Sequence, residues 1–156
     1  CLSTAADAQD TGHVWTVETP KDGEAALRFG TPNTDDQPLA LFCARKSGQV
    51  KVLADLARQI GVRKIGETWV DEAGVREPWP MSVALVSRGA SLSLRGQGSA
   101  NEITHGTTAQ AEFSTLAPFA AAFRKSGEIA LTAIGETVQP LPAPKGQVRK
   151  FLGFCK

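Results

Sequence analysis

Hydrophobic residues along this chain come in short runs, many alternating with polar ones, and Gly, Pro, Asn and Ser separate the runs. That is the signature of strands joined by turns. Val14 to Val17 reads as a first strand, closed by Thr19-Pro20-Lys21-Asp22-Gly23, and Ala25 to Phe29 as a second. Pro38 to Ala44 predicts a buried strand in which Leu39, Leu41 and Cys43 share one face at the period of two. Lys46-Ser47-Gly48 turns this strand back into Val50 to Leu53, a hairpin. Ala54 to Ile60 is ambiguous, because Leu53, Leu56, Ala57 and Ile60 also fit a turn or two of helix. Thr68 to Val70, Met81 to Ser87, Ser91 to Leu94 and Ala109 to Phe113 complete a set of short strands, and Gly96 to Asn101 reads as a flexible turn.

Two stretches carry the helical period instead. The first has Ser114 or Thr115 as N-cap, Pro118 in its first turn and Gly127 as its stop, with Leu116, Phe119, Ala120 and Phe123 as the apolar stripe. The second closes the chain, with Val148, Phe151, Leu152 and Cys155 at the i, i+3, i+4, i+7 spacing. Between them, Glu128 to Ala133 and Thr137 to Leu141 predict a hairpin around Gly135-Glu136, followed by the Pro140 to Pro144 link. The expected fold is α+β: an antiparallel meandering sheet or partial β-sandwich with two packed helices, the last at the C-terminus. Residues 1–12 read as a flexible tether and 13–156 as a single globular domain.

Composition narrows the function classes. A chain of 156 residues with 42% apolar and 21% charged residues can build an ordinary core. Seventeen basic against sixteen acidic side chains leave a formal charge of +1, so no net field gathers phosphates or anionic lipid, and nucleic acid is not an expected partner. No apolar run approaches the roughly 20 residues of a membrane-spanning helix.

The cysteines change the picture most. Cys43 lies on the inward face of its strand and Cys155 on the apolar face of the terminal helix, so both sulfurs point inward. A disulfide between them would close a long loop worth about 4 to 5 kcal/mol in the chain-entropy model and would pin a terminal helix against fraying. The alternative is two buried free thiols. Cys1, followed by the small and polar Leu2-Ser3-Thr4-Ala5-Ala6-Asp7-Ala8, resembles a bacterial lipoprotein after removal of its signal peptide. That resemblance implies lipidation of Cys1 and a membrane anchor. The competing readings are an arbitrary cut at Cys1 and a cleavage site at Ala6-Asp7-Ala8.

Candidate chemistry is sparse. His13 and His105 lack partners at ligand spacing, so neither a metal nor a cofactor is expected. Gly89-Ala90-Ser91-Leu92-Ser93 lacks the last glycine of a nucleophile elbow, and Asn33, Asp35 and Asp36 read as a solvated acidic turn. Trp69 and Trp79 are the candidate binding surface. Trp79, between Pro78 and Pro80, is expected at an edge or loop, either exposed as a contact or folded over the core rim with its N–H on a carbonyl.

Several pieces together resemble small uncharacterised cell-envelope proteins of proteobacteria: Trp15-Thr16-Val17, Phe29-Gly30-Thr31-Pro32, Leu41-Phe42-Cys43 with its Ser47-Gly48 turn, the Phe119 to Gly127 helix stop, and Phe151-Leu152-Gly153-Phe154-Cys155. The resemblance implies a location, the periplasm or outer membrane, and no catalytic residue. The expectation is a non-catalytic envelope lipoprotein acting as a binding or accessory subunit, with an envelope protein as partner and the membrane reached through lipid on Cys1. The alternatives are a small envelope hydrolase using His105, and a hydrolase inhibitor.

Overall fold

The computed structural model describes residues 12–156. Eleven strands and two helices follow one another among the described residues. They are β1 (Val14–Glu18), β2 (Ala25–Gly30), β3 (Leu39–Cys43), β4 (Gln49–Leu56), β5 (Arg63–Ile65), β6 (Thr68–Val70), β7 (Trp79–Ser87), β8 (Ala90–Ala100), β9 (Thr107–Ser114), α1 (Pro118–Ser126), β10 (Ala130–Ala133), β11 (Glu136–Val138) and α2 (Lys145–Cys155). Nine strands form one antiparallel sheet in the order β1-β2-β3-β4-β9-β8-β7-β10-β11, and β5-β6 make a separate hairpin. The expected sheet and both helices are present, with the second helix at the C-terminus; the balance is mostly β rather than an even α+β mixture.

The sheet is a curled half-barrel, and its curl has a local cause. One stretch of β8, Ala90 to Gly98, pairs with β7, whereas only Gln97 to Ala100 pair with β9, so β8 passes from one wing of the sheet to the other. At this crossing small residues of β8 and β9 face each other, Gly98 opposite Ala109 and Gly96 beside Ala111. A Cβ at position 96 would run into the backbone carbonyl of Gln110, and one at position 98 into the end of Met81. Curling brings the far edge round, and the Glu136 carboxylate accepts the Arg58 N–H at 3.2 Å just beyond β4.

Both helices fill the concave side. Phe119, Ala120 and Phe123 of α1 and Val148, Phe151, Leu152 and Cys155 of α2 are buried against Leu27, Leu41, Val52, Leu85 and Phe113 of the sheet. Phe113 meets Phe119 edge-on at 5.2 Å between centroids. The expected bridge is formed: Cys43 and Cys155 are bonded with their Cα atoms 5.6 Å apart at a sequence separation of 112. Beside it, the β3–β4 turn satisfies the last carbonyls of α2, the Lys46 N–H donating to Phe154 O at 2.9 Å and the Gly48 N–H to Cys155 O at 2.7 Å. Gly127 ends α1 in the left-handed conformation, its N–H on Phe123 O at 2.7 Å.

Two local expectations are corrected, and two left open are decided. Ala54 to Leu56 continue β4, because Ala54 and Leu56 pair with Ala109 and Thr107 and ladder pairing decides what periodicity left open. Gly96 to Ala100 lie inside β8, their glycines serving close approach rather than a turn. Helix α1 starts at Pro118 with Ala117 at the N-cap, while Ser114 Oγ instead accepts the Leu116 N–H and turns Leu116 out to 90% exposure. Of an edge or a loop, Trp79 takes the edge: it opens β7, and because β10 pairs only with Val83 to Val86 that end of β7 is an edge where the flanking prolines leave no donor missed.

Replacing Cys43 and Cys155 by Ala together should lower stability by about 3 to 5 kcal/mol, read from urea unfolding, and reductant should destabilise the native chain but not the double variant. Gly96→Ala should cost more than Gly98→Ala, because a carbonyl in the β8–β9 ladder cannot yield as a methionine tip can; thermal midpoints of the two variants decide this, and equal losses would refute the account of the curl.

Candidate functional site

On the outer face of β1 to β4, side chains that alternate away from the core build a polar strip. Arg28 is the one charged residue of β2 and stands opposite Thr16 of β1 and Ala40 of β3. Its guanidinium meets Glu18 at 3.1 Å and lies 5.3 Å from the centre of the Phe42 ring. Lys51 of β4 approaches the same ring at 5.9 Å. Phe42 is thus flanked by two cations, an arrangement that holds an aromatic plane at the surface.

The β2–β3 loop walls this strip. Thr31 N–H donates to Asp36 O, the Thr34 hydroxyl to Thr31 O, and His13 and Thr31 both hold Asp36 Oδ2, at 2.8 and 2.9 Å. The His13 hydrogen bond first, and the Thr31 hydroxyl second, keep the Asp36 carboxyl below its ordinary range. The acidic turn is solvated as expected, and its Asp36 pins the loop to the start of β1. Between loop and strip lies an open groove of about 490 Å³, walled by Thr16, Glu18, Arg28, Asn33, Gln37 and Phe42 among others. Its volume falls within the usual range for ligand sites, roughly 300–1,000 Å³. It offers donors, acceptors and one ring face, the chemistry for hydrogen-bonding an extended polar ligand.

The tryptophans expected at a binding surface are brought together, but for a structural task. Gly61 is pressed against both rings. Of the two placements open to Trp79, the buried one is observed: the side chain is 5% exposed and its N–H donates to Val75 O at 2.9 Å, which removes it from the candidate surface. Trp69 is half-buried, its N–H on Glu102 Oε1 at 2.9 Å, with Lys64 on the same oxygen at 2.6 Å. The Lys64 hydrogen bond first, and that of Trp69 second, hold the Glu102 carboxyl below its ordinary range. Glu77 completes the clamp, accepting the backbone N–H groups of Trp69 at 3.1 Å and Ala100 at 2.8 Å, which ties the β5–β6 hairpin to the end of β8.

His105 sits in the β8–β9 connection at φ 63°, with Asn101 accepting the N–H groups of Ile103, Thr104 and His105. The space beside its ring is about 20 Å³, room for a single water, and the residues around it include neither a serine nor a second histidine. His13 lies elsewhere, on Asp36. Among the described residues no group of three His, Cys, Asp or Glu side chains is placed to hold a metal. Cys1 lies outside the described residues.

Sequence reasoning missed the Arg28 groove. Its one legible signal was a lone arginine in the otherwise apolar Ala25–Gly30 run, which only cross-strand register connects to Glu18 and Phe42. No protein-family model, curated protein or solved structure matches this chain.

One half-buried carboxylate yields a pH test. Asp55 accepts hydrogen bonds from Asn101 and Thr108, both at 3.2 Å, yet burial pushes its carboxyl above the ordinary range against their pull. A carboxyl raised on folding favours the native state while protonated, and that contribution is lost as pH rises through the raised value. The stability of Asp55→Asn relative to the native chain should therefore increase from about pH 3 to pH 7. Urea unfolding at the two pH values checks it, and a constant difference would count against burial as the dominant cause.

Proposed function

We propose that the chain is a non-catalytic lipoprotein of a bacterial cell envelope, working as a binding or accessory subunit. The observation that carries this reading is the Cys43–Cys155 bridge, since disulfides persist where thiols are not kept reduced. In this reading Cys1 bears the acyl chains, and residues 1–12 tether the domain to the periplasmic side of the membrane. The described chain enters the fold at β1, whose Trp15 donates its indole N–H to Leu141 O at 2.7 Å and whose backbone accepts Gln147 Nε2 at 3.5 Å. A pull on the tether is therefore met by side chains as well as by the β1–β2 ladder.

The groove on the outer sheet face supports the binding half of the proposal. Arg28, Asn33 and Gln37 offer hydrogen bonds to an extended segment of an envelope protein, with Phe42 as its apolar contact.

Intact mass of the natively expressed protein, before and after reduction, tests the location: acyl mass on Cys1 and a gain of two hydrogens on reduction are expected. An unmodified Cys1, or thiols already reduced, would overturn it. Affinity capture from the same envelope extract tests the binding role, with one stoichiometric partner whose recovery falls by about ten-fold in Arg28→Ala/Asn33→Ala. Absence of a stoichiometric partner, or equal recovery by the variant, would refute the groove as the binding site.

A further inference from the structure

The near-neutral total charge conceals a sorting of charge. Helix α1 carries Arg124 and Lys125, helix α2 carries Lys145, Arg149 and Lys150, and neither contains Asp or Glu. All five cations are exposed, and none enters an ion pair among the described residues. The two helices run antiparallel: Ala143 N–H donates to Gly127 O where α1 ends and α2 begins, and the turn that caps the end of α2 also accepts the Thr115 N–H, through Gly48 O, just before α1 starts. Ala121, Arg124, Lys125 and Arg149 consequently line one open groove of about 410 Å³. Glu128, the nearest acid in sequence, is already held by Arg88 at 2.8 Å.

At the other end of this layer Arg45 stacks over Phe154 at 4.4 Å, and the neighbouring Lys46 is exposed. Leu116 projects beside this turn at 90% exposure, followed by exposed Pro118. The hairpin segment that follows the far end of β4 is mixed in charge, Glu67, Asp71, Glu72 and Glu77 lying among Arg58, Arg63, Lys64 and Arg76, and eight strand residues, roughly 27 Å, separate that end from Gly48.

We infer that the exposed face of α1 and α2 is a docking surface for an anionic phospholipid bilayer. Unpaired lysines and arginines on one face complement phosphate headgroups, and each such residue near an anionic surface raises partitioning by about five-fold. Leu116 and Pro118 favour a bilayer over a nucleic acid, because an acyl boundary accepts apolar side chains that a phosphate backbone does not. The surface acts without acylation of Cys1, so it stands or falls separately from the lipoprotein reading.

Cosedimentation of the full, unacylated chain with phosphatidylglycerol-containing and with purely phosphatidylcholine vesicles tests the inference. Binding should be confined to the anionic vesicles and should fade as salt is raised. Arg124→Gln/Lys125→Gln/Arg149→Gln should weaken it about a hundred-fold. Arg63→Gln/Arg76→Gln, in the mixed-charge segment away from the helices, should leave it unchanged, and circular dichroism verifies that each variant is folded. Equal binding to both vesicle types, equal losses in the two variants, or tighter binding to duplex DNA than to anionic vesicles would each overturn the proposal.

Discussion

The seating of α2 in the concave sheet is the interaction on which the rest of this structure depends. A terminal helix of eleven residues is too short to hold its own conformation in water, so its helicity comes from packing. Val148, Phe151 and Leu152 supply the buried face, the Cys43–Cys155 bond fixes its end, and the Lys46 and Gly48 amides occupy carbonyls that would otherwise lack partners. The same β3–β4 turn touches the entry to α1 through Gly48. One hairpin thus registers both helices against the sheet.

That arrangement separates two surfaces with different chemistry. The helices cover the inner face of the sheet and present their polar sides to solvent, where cations gather outside any ion pair among the described residues. The outer face of β1 to β4 stays uncovered, and alternation along each strand lines up Glu18, Arg28, Phe42 and Lys51 across it. A binding groove and a basic layer therefore fall on opposite sides of one sheet. A molecule held to a membrane by its helices would offer the groove to a partner facing away from the lipid.

Much of the fold was legible because hydrophobic period and turn chemistry are local. Leu39, Leu41 and Cys43 announced their common face, Gly127 its helix stop, and the Val148 to Cys155 spacing its buried stripe. Failures came where a distant neighbour arbitrates. Leu56 is strand because Thr107 pairs with it, and Gly96 and Gly98 serve the curl because Gln110 and Met81 press against them. The candidate sites were less legible still. Trp69 and Trp79 drew attention as residue types, whereas Arg28 gains its setting from strands on both sides.

By itself the sequence determined an antiparallel sheet covered by two helices, the inward direction of Cys43 and Cys155, and a net charge near zero. These follow from periodicity and counting, which need no knowledge of what lies across a ladder. Only the tertiary structure decided how the sheet curls, which tryptophan is buried, and which cations stay outside ion pairs. Curvature, burial and charge sorting are properties of pairs of residues far apart in the chain, and folding alone chooses those pairs.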